Sequence, residues 1–164
     1  MKQYYPIKIK LETETFHIIW YSGDVDGVLC ENNRVVWFSS FYNLSSYCKK
    51  HGLELEKDIS VFDLQKPSNK SNLKFNEVLD FWNLIIDISS SVELPFSGTA
   101  DSGIVIDLYN KLFYGSNPKA IAGDFSHFIP TLSEEEFRKL QEIIEDGIAV
   151  FKGSLASQET VCIL

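Results

Sequence analysis

The sequence predicts an α+β fold, an N-terminal antiparallel β-sheet with C-terminal helices packed on one face. Three observations predict it. Alternating and short apolar runs fill the first forty residues. Helical periodicity replaces them after Ser39 and is strongest from Phe75 onward. No βαβα repetition marks a parallel, doubly wound sheet. A chain of 164 residues with 45% hydrophobic side chains suits one domain over residues 1–164 with a real core.

The strands come first. Tyr5, Ile7, Ile9 and Leu11 alternate with Lys8, Lys10 and Glu12, as in a strand half open to water. Phe16–Tyr21 is a second, aromatic strand. The Gly- and Asp-rich turn 22–27 leads to Val28–Cys30, and Arg34–Phe38 follows the punctuation Glu31-Asn32-Asn33. Two short runs about an Asn-Asn pair read as a β-hairpin, giving three or four antiparallel strands. Leu53–Glu56 alternates as a further short strand candidate, and Ile59, Val61 and Phe62 make another short apolar run.

The helices follow. Phe41, Leu44, Tyr47 and Cys48 share a face, with Ser39 or Ser40 as cap, cations in the last turn and Gly52 as C-cap. The basic stretch Lys66–Lys74 has loop composition. Phe75–Val92 is apolar around most of its circumference and so reads as a central helix. Ile104–Phe113 is a third helix, stopped by Tyr114-Gly115-Ser116-Asn117-Pro118. Phe125–Ile129 is a short aromatic run. The clearest signal is the helix from Leu132 to about Gly147, with Phe137, Leu140, Ile143 and Ile144 in one stripe. Thr131 with Glu134, or Ser133 with Glu136, closes a capping box, and Glu134, Glu135 and Glu136 suit the first turn. Gly147 either ends this helix or lies within it. Phe151, Leu155, Val161, Ile163 and Leu164 form an apolar tail.

Charge narrows the partners. The net charge is −8, against the basic footprint of nucleic-acid binding. Residues 1–82 carry 10 basic and 11 acidic side chains, and residues 83–164 carry 5 and 12, so the second half is where a basic partner is steered. The N-terminus lacks a signal-peptide pattern and no stretch matches a membrane span, so a cytoplasmic protein with no membrane partner is expected. Cys30, Cys48 and Cys162 have neither disulfide nor zinc spacing and read as free thiols. No phosphate cradle or dinucleotide fingerprint is present, so no cofactor and no metal are expected.

Two sites compete. Asp24-Val25-Asp26-Gly27-Val28-Leu29 resembles the first motif of the haloacid-dehalogenase-like phosphatases. That resemblance implies a Mg²⁺-dependent phosphatase with Asp24 as nucleophile and Asp26 as acid/base. Against it, Tyr21-Ser22-Gly23 is a turn, not an apolar strand end, and the bland reading is an acidic loop. His17, His51 and His127 are isolated, and a Cys–His pair of Cys30 or Cys48 with His127 has no support in spacing. The alternative is a protein-docking surface. Asp80, Asn83 and Asp87 share one side of their helix, Asp101, Asp107 and Asp124 follow, and Glu135, Glu142, Glu145 and Asp146 line the last helix. Tyr109, Tyr114 and Trp37 are candidate anchors. The partner-binding residues expected on this reading are Asp80, Asp87, Asp107, Tyr109, Tyr114, Glu135, Glu142 and Asp146, with none catalytic. The bland reading is a set of solvated helix faces.

Phe81-Trp82-Asn83-Leu84-Ile85-Ile86-Asp87-Ile88, then Tyr109-Asn110-Lys111-Leu112-Phe113-Tyr114-Gly115-Ser116-Asn117, then an acidic helix running into Gly147 and Phe151, resemble a family of small bacterial immunity proteins. These belong to contact-dependent growth-inhibition and polymorphic toxin systems. The resemblance covers roughly residues 75–151. It implies a cytoplasmic, non-enzymatic inhibitor that binds a cognate protein toxin, often a nuclease, and blocks its active site. An adaptor domain without catalysis is the third reading.

Overall fold

β1 (Gln3–Leu11) and β2 (Glu14–Ser22) pair antiparallel from Gln3↔Ser22 to Leu11↔Glu14. The register sets buried Ile7 against Ile18 and buried Ile9 against Phe16, the apolar cross-strand pairs that stabilise a sheet. The turn between them holds Glu12 at φ 55°, a position the sequence did not mark with Gly or Asn. The computed structural model describes residues 2–116 and 130–160. Asn117, Pro118, Phe125–Ile129 with His127, Asp124, Val161, Cys162, Ile163 and Leu164 lie outside the described residues.

The chain divides into two compact units. One comprises Met1–Gln65, Asp87–Pro95 and Val150–Leu164, the other Lys66–Ile86 and Phe96–Ala149. In the first, β3 (Gly27–Val28) and β6 (Trp37–Phe38) both pair antiparallel with β2. Between them β4 (Cys30–Glu31) and β5 (Arg34–Val35) form the expected hairpin. Asn32 and Asn33 have φ 51° and 56°, the two left-handed residues of a type I′ turn.

Two strand expectations change. The sheet is mixed, because β7 (Ser60–Asp63) joins β1 in parallel. The reason is connectivity: β6 runs parallel to β1, and a parallel return requires a crossover, which α1 (Phe41–His51) provides. Leu55 makes only an isolated parallel bridge to Tyr4. Pro6 lies between that bridge and the β7 pairing, and it has no N–H to give the parallel ladder.

Alternation along β2 separates its neighbours. Phe16 packs edge-on against Trp37 and Phe151, with centroids 5.3 and 5.5 Å apart. Trp20 Nε1 donates to Asp87 at 2.7 Å. Phe151 is in α4 (Glu134–Ser154) and Asp87 in α2 (Phe75–Val92), so the ends of these C-terminal helices pack on one face of the sheet. Ile19 points the other way, into a cluster with Val36, Phe38, Leu44, Tyr47 and Cys48 that seats α1. Ser40 caps α1 by accepting from Asn43 N–H at 3.2 Å, and Gly52 closes it at φ 66°. The tail is more than apolar packing. Leu155 bridges Val35, Thr160 N–H donates to the Trp37 carbonyl at 2.9 Å, and Glu159 accepts from Ser39 and Asn43.

The second unit holds most of α2, α3 (Gly103–Ser116) and most of α4. α2 has the predicted bounds. α3 runs through Gly115, expected to stop it, and α4 runs through Gly147, the second of the two outcomes open for that glycine. A Cβ on Gly115 would stand 2.9 Å from the Phe75 ring, and one on Gly147 2.9 Å from the Phe81 ring. Each glycine therefore lets its helix lie close to α2, which outweighs its poor helix propensity. α4 begins in the second capping register: Ser133 N–H donates to Glu136 at 2.7 Å and Glu136 N–H to Ser133 Oγ at 3.1 Å. Thr131 is outside it. The basic loop after β7 is fastened along α4, through Lys66–Glu145 at 2.5 Å, Lys70–Glu134, and Gln141 Nε2 to the Pro67 carbonyl at 2.8 Å.

Candidate functional site

The phosphatase-like motif has a structural account. Asp26 accepts from Ser22 Oγ at 2.9 Å and Gly23 N–H at 3.2 Å, so its carboxylate fastens its own turn. A Cβ on Gly27 would stand 2.8 Å from both Ser91 Oγ and Tyr21 Oη, so the glycine serves close packing. Asp24 is exposed and follows β2 of an antiparallel pair. Among the described residues no group of three or more His, Cys, Asp or Glu is arranged to hold a metal ion.

The other chemistry-bearing residues are absorbed by the sheet. His17 is buried with Nδ1 lacking a hydrogen-bond partner. Burial lowers its pKa, and Lys8 lowers it further against a backbone hydrogen bond with Phe38. Burial pushes the Cys30 thiol up to about 11, which leaves little thiolate for nucleophilic work at neutral pH. Cys48 is buried.

The residues expected to bind a partner fall into two groups. In the first, the polar atoms are occupied inside the fold. Asp87 holds Trp20, and Asp146 accepts the Ser97 N–H at 2.8 Å. Tyr109 OH donates to Asn83 Oδ1 at 2.9 Å with its ring edge-on to Trp82. Glu142 pairs with Lys139 at 3.1 Å. Trp37 donates Nε1 to the Ala156 carbonyl at 3.1 Å. In the second group, Asp80, Asp107, Tyr114 and Glu135 are exposed.

α3 gathers part of that second group on one face. Ile106, Asn110 and Phe113 recur at helical spacing, with Asp107 and Tyr114 one position on. Ile106 is 46%, Phe113 41% and Tyr114 45% exposed, while Val105, Leu108 and Leu112 bury the opposite stripe. The Tyr109–Asn83 bond fixes α2 beside this face, and Asp80 lies one turn from Asn83. Asp80 has its pKa raised by desolvation and then by Glu77. Among the described residues no cation pairs with its carboxylate, unlike that of Glu136, which Lys111 and the Ser133 N–H hold below the usual range. The outward side of α3 thus leaves Ile106, Phe113 and Tyr114 partly in water beside the exposed Asp107. Sequence reasoning found Asp107 and Tyr114 but missed Ile106. Ile106 counts equally well as core in any hydrophobic pattern, and only packing shows which apolar stripe of α3 is covered.

No family model matches the chain, and no curated protein matches it. Among solved structures the chain is similar to the SatS C-terminal domain, from a crystal structure in complex with bromine. The TM-score is 0.55 at 17% identity, covering 93% of this chain and 92% of that one. Identity this low speaks to the α+β fold alone. Among the described residues no helix is long and apolar enough to cross a membrane.

Proposed function

We propose that this protein is a non-enzymatic immunity protein that neutralises a cognate bacterial toxin by binding it and blocking its functional surface. The observation that carries the reading is the outward face of α3, where Ile106 and Tyr114 are about half exposed beside Asp107. Large apolar side chains kept in water on a helix that already buries another stripe favour recognition of a partner. The net charge of −8 favours a basic one, and a nuclease domain that grips phosphates is basic. Ile106 and Tyr114 supply the desolvated anchors, and Asp80 and Asp107 meet Lys or Arg at the rim. The carboxylates of α4 act mainly at longer range, raising the association rate at low salt. The protein works in the cytoplasm, with no nucleic acid or membrane as its target.

The test is binding and protection against a candidate toxin encoded next to this protein's gene. The purified protein is expected to bind it at one-to-one stoichiometry and to rescue growth when the two are co-expressed. Ile106→Asp with Asp107→Lys is expected to weaken binding by about thirtyfold or more, as for removal of an interface hot spot. Absence of binding and of rescue by the unaltered protein would sink the immunity reading. Full binding by the double variant would leave immunity standing and remove the α3 surface from it. The phosphatase alternative makes a separate demand, hydrolysis of a phosphate ester with Mg²⁺ that Asp24→Asn abolishes.

A further inference from the structure

A buried histidine lies beneath α1. His17 of β2 is 7% exposed. Its cross-strand neighbours are Lys8 of β1 and Phe38 of β6. Side chains directly opposed in antiparallel strands share a face. Phe38 packs with Leu44, Tyr47 and Cys48 in the cluster that seats α1, and so does Ile19, two residues along from His17. The His17 ring is therefore on the face of the sheet that α1 covers. A backbone hydrogen bond with Phe38 engages the ring, while Nδ1 is buried and among the described residues has no partner.

A neutral imidazole can leave one ring nitrogen unpaired, but an imidazolium has two N–H donors and a charge to satisfy. Burying that charge without a partner is expensive. Among the described residues, the elements packed against His17 offer no free anion. β1 directs Lys8 and Lys10 to this face, β6 has no charged residue, and α1 has Lys49, Lys50 and His51 but no carboxylate. The carboxylates bordering the face are engaged. Glu31 accepts from Tyr47 OH at 3.1 Å, and Glu159 from the Ser39 N–H at 2.8 Å and from Asn43 at 2.9 Å. Asp63, on β7 beyond Lys10, accepts from Gln65 at 3.0 Å. Burial is the main influence on the His17 pKa and lowers it. The Phe38 bond raises it, and Lys8 lowers it again.

We propose that His17 is an acid-sensitive switch beneath α1: neutral, it completes the seat of the helix, and protonated, it loosens α1 from the sheet. With the folded pKa below the ordinary 6.5, the hold on α1 is full above pH 6.5. As pH falls from there to the folded value, the loosened state binds the extra proton and gains by up to about tenfold per pH unit. Below the folded value the loss is complete. The switch is independent of the α3 surface and of the toxin reading.

Hydrogen exchange on the whole protein from about pH 7.5 to about pH 5.5, corrected for intrinsic rates, reads the hold on α1. The α1 amides are expected to lose protection below pH 6.5, by up to about tenfold per unit, while the α3 amides keep theirs. His17→Gln is expected to abolish that dependence. His51→Gln, which removes the ring stacked on Tyr47 at 4.2 Å, is expected to preserve it. NMR titration of the unaltered protein covers the case in which His17→Gln fails to fold: the His17 ring is expected to titrate below 6.5 in step with α1 exchange. Protection of α1 that does not change with pH overturns the inference. So does a loss that α3 shares equally, that His17→Gln retains or that His51→Gln removes, and so does a His17 ring titrating at or above 6.5.

Discussion

α3 and most of α4 lie in the same unit and present opposite answers to the same question, what a surface helix does with its outward side chains. α4 is the more acidic, yet its acids are largely engaged. Glu134 meets Lys70, Glu136 meets Lys111, Glu142 meets Lys139 and Glu145 meets Lys66, while Asp146 holds a backbone N–H. α3 has fewer charges but keeps Ile106, Tyr114 and Asp107 in water. The difference teaches that acidic composition alone is a poor guide to a docking face. An ion-paired carboxylate must give up its lysine before it can take a partner's, and each exposed pair is worth only a fraction of a kcal/mol to begin with. A half-exposed isoleucine has nothing to give up.

The largest effect that tests this contrast is at the glycines. Gly147 lies in α4 with the Phe81 ring 2.9 Å and Ile85 Cγ1 3.3 Å from where a Cβ would be. Helix propensity favours alanine there by about 1 kcal/mol, but overpacking a core costs about 1–3 kcal/mol. Phe81 is buried and has little room to withdraw, so Gly147→Ala is expected to lower stability in chemical denaturation. Gly103 at the start of α3 has nothing within 4 Å of the same position, so Gly103→Ala is expected to raise stability by up to about 1 kcal/mol. A stabilised Gly147→Ala protein would mean that α4 does not pack as closely as the geometry requires.

The next effect is at the start of α4. Glu136 closes the capping box and pairs with Lys111 at 2.6 Å. Glu136→Ala is expected to cost about 1 kcal/mol, the usual worth of a cap. The pH dependence carries a sign. Lys111 first, then the Ser133 N–H, lowers the folded pKa of Glu136. Its contribution is therefore full above the unfolded carboxylate value and is lost as pH falls through the lowered folded value. Asp80 runs the other way. Its folded pKa is raised by burial and Glu77, so its ionised form opposes folding at neutral pH and the opposition eases as pH falls through the raised value. Carboxyl NMR titration should place Glu136 below the ordinary range and Asp80 above it. Reversed shifts would erase the distinction between a held carboxylate and one left for a partner.

The parts of the molecule that a sequence displays are those where one residue type answers one local demand. Asn32-Asn33 meet a turn that needs two left-handed residues, Ser40 and Gly52 bound α1, and the stripe of α2 gives its bounds without error. What was hidden depends on contacts distant in the chain. Gly115 looks like a helix stop, and Gly147 fits an end or an interior equally, until Phe75 and Phe81 are seen against them. The parallel placement of β7 depends on where α1 returns the chain, not on the composition of SVFD. At the candidate site the acidic residues were visible and their partners were not, since Lys66 and Lys70 belong to a loop about seventy residues before the glutamates they meet.

The smallest expected effect is the most informative about function. Ile106→Asp replaces a side chain that is 46% exposed and forfeits little burial, and a polar residue on a solvent-facing helix position usually shifts stability by no more than about 0.5 kcal/mol. Its denaturation midpoint should stay with that of the unaltered protein while toxin binding falls by the margin of a hot spot, about 2 kcal/mol. Reversing Glu135 on α4 to Lys should also leave stability alone, but it should alter mainly the association rate and its salt dependence. If both substitutions reduce only the association rate, the α3 face steers and does not dock. If Ile106→Asp unfolds the protein, Ile106 belongs to the core and the α3 surface is lost as a candidate. Only unchanged stability with faster dissociation makes α3 the contact and leaves α4 as the source of the field around it.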